Sequence, residues 1–198
     1  GLGSRFGGDK LLHAISTDYC QQSTALATMP MGLVSALNLA LYVDEVVCVV
    51  RPEDKTLASL FEQYGFKICV SEHYSQGLSA SLMAGVQASI DADAWCIALG
   101  DMPFINAASY QAIHEQVTLQ KALSEAQQKI VRPYTLSQTG HKPGHPVVFP
   151  KRLKESLLNL AGDEGAKVIL KKERENLLEV QLADNGIHLD VDEKKDLP

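Results

Sequence analysis

Trp95-Cys96-Ile97-Ala98-Leu99-Gly100-Asp101-Met102-Pro103 is a run of five apolar residues followed at once by glycine, aspartate and, two residues on, proline. A short run that is apolar throughout suits a strand covered on both faces, as in a parallel sheet, better than the alternating strand of an open one. In open α/β sheets, ligands gather at the carboxyl ends of the strands. That places Asp101 at a rim where a carboxylate can hold a divalent cation, although an Asp ahead of Pro103 could equally cap the next helix.

Working outward, similar runs recur at 45–50 (EVVCVV), 66–70, 129–132, 146–149 and 177–182. Between them lie segments of helical periodicity, at 32–42, 57–64, 78–90, 107–121, 152–159 and 163–172. Strands alternating with helices require right-handed crossovers and predict an α/β, Rossmann-like doubly wound, mostly parallel sheet. The later strands follow a longer gap and are expected to add a mixed or antiparallel edge. No linker or repeat divides the 198 residues, so a single domain is expected.

The bulk properties narrow the field of functions. Lys and Arg number 18 against 24 Asp and Glu, a formal charge of −6, which gives no overall field for nucleic acid or an anionic membrane. An anionic ligand must therefore be held locally. No apolar stretch approaches the roughly 20 residues of a membrane span. Cys20, Cys48, Cys69 and Cys96 lack the close spacing of a zinc or redox motif, and reduced, structural thiols suit a cytoplasmic protein.

Several short segments carry possible chemistry. The amino terminus GLGSRFGGDKLL has four glycines in eight residues, with Arg5 and Lys10 among them. Such a backbone can bring N–H groups close to phosphate oxygens while the two cations balance the charge. It lacks the GK[ST] of a Walker loop. In GLSASL, Ser79 and Ser81 fall at a helix start, suiting capping or contact with a sugar and base. His145, between Gly144 and Pro146, could touch a ligand or merely mark a turn. Asp163 with Gly165 fits a helix N-cap or an anion site. In LDVDEKKD, Asp190 and Asp192 share one side of an extended segment, which is otherwise a solvated acidic tail.

The order and spacing of these segments resemble the MobA-like nucleotidyltransferases, and most closely the molybdenum cofactor cytidylyltransferases. Gly1–Leu12 resembles the later part of LAAGxSxRFGxxKLL, and GLSASLMAG at 77–85 is similar to G[ML]SxSLxAG. LGDMP resembles LxDxP, PGHPVVF resembles RGHPVLF, GDEGAK resembles GDxGAR, and DVDEKKDL resembles DxDTPEDL. The resemblance spans essentially the whole chain.

It implies a fold of the nucleotide-diphospho-sugar transferase type. It also implies Mg²⁺-dependent transfer of CMP from CTP to a molybdopterin-type acceptor, with release of pyrophosphate. Arg5, Lys10 and Asp101 would be catalytic. Gly1, Gly3, Ser4, Arg5, Lys10, Gly77, Leu78 and Ser79 would bind nucleotide. Gly144, His145, Pro146, Asp163 and Gly165 would lie on the acceptor side, and Asp101 with Asp192 would hold the metal. Guanylyl transfer from GTP is a close variant. A chaperone that delivers the cofactor to a molybdenum hydroxylase apoenzyme is an alternative of another class.

Three departures stand out: the family's opening strand is absent before Gly1, DTPED has become DEKKD, and Pro143 replaces a basic residue. The first should leave an apolar gap in the sheet, and the second removes a Thr cap and a Pro from the following turn.

Overall fold

The computed structural model describes residue 6, residues 9–138 and residues 140–197. Gly1, Gly3, Ser4 and Arg5 of the expected nucleotide loop lie outside the described residues.

The first described element is a 3-10 turn, Lys10–Leu12, which leads into a hairpin of β1 (Ala14–Ser16) and β2 (Thr28–Pro30). Helix α1 (Met31–Ala40) follows and is buried from Met31 to Leu39. A helix apolar all round must lie inside the protein. Its two central polar groups are matched accordingly. Asn38 accepts from the Gln21 N–H at 2.8 Å and donates to the Tyr19 carbonyl at 2.8 Å. Ser35 Oγ donates to the Gly100 carbonyl at 3.0 Å.

Next come β3 (Val47–Val50), α2 (Lys55–Gln63), β4 (Lys67–Val70), α3 (Leu78–Ala88), β5 (Ala94–Ile97) and α4 (Ala107–Gln120). β3 and β4 pair in parallel, as the α2 crossover requires. The remaining elements are β6 (Ile130–Ser137), β7 (Gly140–Pro143), β8 (Val147–Pro150), α5 (Lys154–Leu158), α6 (Lys167–Lys172) and β9 (Leu177–Gln181). β5, β8, β6 and β7 join in antiparallel pairs, and β9 adds to β6 in parallel. This is the expected α/β fold, with the later strands forming the expected mixed part of the sheet. Among the described residues, β3–β4 and the five-stranded sheet are separate hydrogen-bonded units.

Two apolar clusters dominate the core. One joins α1, β3 and α2 through Leu33, Val34, Cys48, Val50, Leu57 and Phe61, and it takes in Val191 from the carboxyl-terminal segment. The other joins Val86, Trp95, Ile130, Phe149, Leu157 and Ile169 across α3, β5, β6, β8, α5 and α6. None of the four cysteines forms a disulfide, and burial pushes the Cys48 and Cys96 thiols up to about 12. Those two are small hydrophobes, as their apolar runs suggested. Among the described residues, no helix is long and apolar enough to cross a membrane.

Candidate active site

Lys10 stands where the amino-terminal turn, the end of β5 and the carboxyl-terminal segment meet. Leu11 packs beside Gly32 and Gly100, and a β-carbon at Gly32 would crowd the Leu11 Cβ at 3.1 Å. Phe6 is buried in the α1 cluster, with its ring edge-on to His13 at 5.2 Å. These contacts fix the turn, and the Lys10 ammonium then lies 2.7 Å from Asp101 Oδ2 and 3.0 Å from Asp192 Oδ1. Both oxygens touch one nitrogen, so they are no more than about 6 Å apart, and a divalent ion bound to both at about 2.1 Å would draw them to within about 4 Å of each other.

Asp101 is held through its backbone on both sides. Ser35 Oγ donates to the Gly100 carbonyl, and the Val191 N–H donates to the Asp101 carbonyl at 2.9 Å. Val191 is fully buried. The segment carrying Asp190 and Asp192 is therefore docked, not a solvated tail. Beyond Asp192, Glu193 and Asp196 form a reciprocal capping box. Asp196 Oδ2 accepts the N–H of Asp192 at 3.0 Å and of Glu193 at 2.7 Å. The departure DEKKD thus restores by carboxylates the capping lost with Thr.

The electrostatics follow from this geometry. The Lys10 side chain is 11% exposed, against 24% for Asp101 and 47% for Asp192. Burial alone pulls the Lys10 pKa down, but the hydrogen bonds and charges of the two carboxylates outweigh it and hold the net value above the ordinary 10.5. Lys10 is an ammonium at neutral pH.

His145 is pinned by its own backbone. Gly144 N–H donates to the Pro133 carbonyl at 2.8 Å, and His145 N–H donates to the Ile187 carbonyl at 2.9 Å. A β-carbon at Gly144 would lie 2.6 Å from that Ile187 oxygen, so only glycine fits. Pro146 is buried. Burial lowers the His145 pKa, against opposing pulls from the Ile97 carbonyl, Asp101 and Asp190, while Lys167 lowers it further. Its Nδ1 is buried and has no hydrogen-bond partner. With the ring's other nitrogen engaged at Ile97, Nδ1 is the acceptor nitrogen of a neutral imidazole.

The GLS and GDEGAK segments form one unit, and here the sequence expectations need correction. Asp163 Oδ1 accepts the Leu78 N–H at 3.0 Å, closing the N-terminus of α3. It does not cap the helix that follows it. That helix begins only at Lys167, because Gly162 and Gly165 turn the chain with φ of 73° and 55°. Gly77 has φ of 106°, and a β-carbon there would lie 2.9 Å from Asp163 Oδ1. Gly165 lies against Leu78. Ser79 is buried, and its hydroxyl donates to the Ala161 carbonyl at 3.3 Å. Of the three residues expected to face a nucleotide, Leu78 offers an exposed side chain, and Ser79 holds the turn in place.

Sequence reasoning missed Asp184. It is 6% exposed and accepts the Asn106 N–H at 2.9 Å, the Ser109 hydroxyl at 2.6 Å and the Gly186 N–H at 2.8 Å. It ties the start of α4 to the segment that carries Ile187 and Val191. Asp184 has no motif around it, and only the long-range contact reveals it. His188, which also had no pattern, is half-buried and hydrogen-bonded to Thr135 at 2.8 Å.

A lysine and two carboxylates gather beyond β5 of a Rossmann-like sheet, a charge set that suits a nucleotidyltransferase. The model of the MobA-like NTP transferase domain matches residues 1–177, and the chain belongs to that family. Comparison with curated proteins found no match.

Among solved structures, the chain is similar to Rv0371c from Mycobacterium tuberculosis H37Rv, with a TM-score of 0.72 and 19% identity over 99% of this chain and 90% of that one. A complex of Rv0371c with manganese matches with a TM-score of 0.64 and 19% identity, over 91% and 89% of the two chains. Molybdopterin-guanine dinucleotide biosynthesis protein A from Archaeoglobus fulgidus matches with a TM-score of 0.63 and 16% identity, over 100% and 91%. At these identities the likeness speaks for the fold.

Proposed function

We propose that the chain works as a single Mg²⁺-dependent cytidylyltransferase domain in the cytoplasm, moving CMP from CTP to the phosphate of a molybdopterin-type acceptor. The observation that carries this reading is the meeting of Lys10, Asp101 and Asp192 at one point. Nucleotidyl transfer asks little covalent chemistry of a protein and much positioning and charge neutralisation. An oxygen of the acceptor phosphate attacks the α-phosphorus of CTP, and pyrophosphate leaves. No side-chain nucleophile is needed.

The donor set fits the metal. Magnesium takes one or two carboxylates and completes its shell with water and substrate phosphates. Asp101 and Asp192 supply two hard oxygens, and their partial exposure leaves room for the rest. A bound divalent ion would neutralise charge on the phosphates. Lys10, with Arg5 beside it in sequence, would bind the triphosphate oxygens and stabilise charge developing at the α-phosphate. The manganese complex of Rv0371c is consistent with a divalent ion in this fold.

On the nucleotide side, Gly1, Gly3 and Ser4 would approach the phosphates, with Leu78 presenting an apolar surface beside the Gly77 turn. On the acceptor side, neutral His145 would accept a hydrogen bond through Nδ1, with Gly144 and Pro146 fixing its ring. Asp163 and Gly165 would act by holding the Gly77–Leu78 turn, not by touching the acceptor.

Pyrophosphate release in the presence of a molybdopterin-type acceptor, compared between CTP and GTP, tests the proposal. CTP with Mg²⁺ should give turnover and GTP little. The guanine dinucleotide in the name of the Archaeoglobus protein makes GTP the variant to exclude. Binding of the acceptor without turnover from either nucleotide would instead support a carrier that serves a molybdenum hydroxylase apoenzyme.

A further inference from the structure

The Lys10 ammonium lies between the carboxylates that the proposed reaction assigns to a divalent ion. Lys10 is the most buried of the three, so the contact belongs to the interior of the site, not to a mobile surface pair. Its neighbours hold it there: the turn is locked through Leu11 against Gly32 and Gly100, and Asp101 is fixed from Ser35 and Val191.

From this we infer that Lys10 is a resident counter-cation that closes the site to free divalent ions until a triphosphate draws it away. The inference rests on the nucleotidyltransferase reading above and concerns the order in which its ligands enter.

The physical argument is one of charge and space. Ion–oxygen distances of about 2.1 Å are shorter than the 2.7 and 3.0 Å contacts of the ammonium, so ion and Lys10 cannot both fill the gap. If a divalent ion entered beside Lys10, three positive charges would face two carboxylates. If Lys10 withdrew alone, a half-buried ammonium would lose both partners. A triphosphate resolves the conflict, because its oxygens take Lys10 while the ion takes Asp101 and Asp192. Metal and nucleotide then raise each other's affinity by the same factor.

The test titrates Mn²⁺ alone, read by electron paramagnetic resonance of the free ion, into the wild-type chain and into Lys10→Met and Lys10→Gln. The neutral variants should bind Mn²⁺ about tenfold more tightly than the wild type, and adding Asp101→Asn to either should abolish the gain. Equal Mn²⁺ affinity in wild type and folded variants overturns the inference. For the wild type itself, Mn²⁺ alone should leave the melting temperature unchanged while Mn²⁺ with CTP raises it. A full shift with Mn²⁺ alone overturns the inference even if neither variant folds. If CTP fails to shift the wild type while Lys10→Met gains Mn²⁺, the nucleotide reading fails and the counter-cation role stands.

Discussion

Replacing Asp163 with alanine removes the carboxylate that closes the N-terminus of α3. Asp163 Oδ1 accepts the Leu78 N–H at 3.0 Å from a position 85 residues further along the chain. The substitution leaves that N–H without a protein partner. Loss of such a cap costs about 1 kcal/mol, within a range of roughly 0.5–2. For a chain of this size, 1 kcal/mol lowers the melting temperature by about 2–4 °C. Asp163→Asn keeps an acceptor oxygen and loses only the charge at the helix terminus, a smaller cost of about 0.3–1 kcal/mol. Urea unfolding of the three proteins should therefore rank wild type, Asn and Ala in that order of stability. Because the same carboxylate fixes the Gly77–Leu78 turn, Asp163→Ala should also weaken nucleotide binding several-fold, leaving acceptor binding nearly intact. An alanine variant as stable as the wild type, with acceptor binding lost, would refute this reasoning and return Asp163 to the acceptor.

Gly144→Ala forces a β-carbon against the Ile187 carbonyl and should cost about 1–3 kcal/mol by chemical denaturation, with the local shift also displacing His145. Asp184→Ala strands an amide N–H, a hydroxyl and a turn N–H together, and should destabilise by about 3 kcal/mol, making it the most damaging single polar substitution outside the site. Burial lowers the pKa of His145 from 6.5, so the folded state binds this proton less readily than the unfolded state. The stability from keeping the ring neutral is present above about pH 6.5 and is lost as pH falls toward the depressed folded value. The urea midpoint should therefore decline below about pH 6.5 in the wild type and decline less in His145→Gln.

Much of the fold could be read because buried strands carry their own signal. The runs at 45–50, 95–99 and 146–149 overlap observed strands to within a few residues at each end. β1, β2 and β7 were not read. The first two have three residues each, and β7 is Gly-His-Lys-Pro, exposed throughout with no apolar alternation to mark it. β7 is a strand because it pairs with β6, Tyr134 opposite Pro143 through Ser137 opposite Gly140, a tertiary cause. At the site, Asp101 and Lys10 sit beside strong local patterns, whereas Asp192 lies in what reads locally as an acidic tail. Its docking depends on buried Val191 and on one backbone hydrogen bond to Asp101, neither visible in composition. Asp163 shows the same limit: a cap usually serves the helix that follows in sequence, and here the carboxylate serves α3 across the fold.

The central claim is that Lys10, Asp101 and Asp192 form one site that takes a nucleotide together with its metal. The most direct measurement is the rise in melting temperature that CTP with Mg²⁺ produces in wild type, Asp101→Asn, Asp192→Asn and the double variant. Residues sharing one ion should be strongly non-additive, so each single variant should lose nearly all of the shift and the double should be little worse than either. An Asp192→Asn variant that keeps the full wild-type shift would contradict the account.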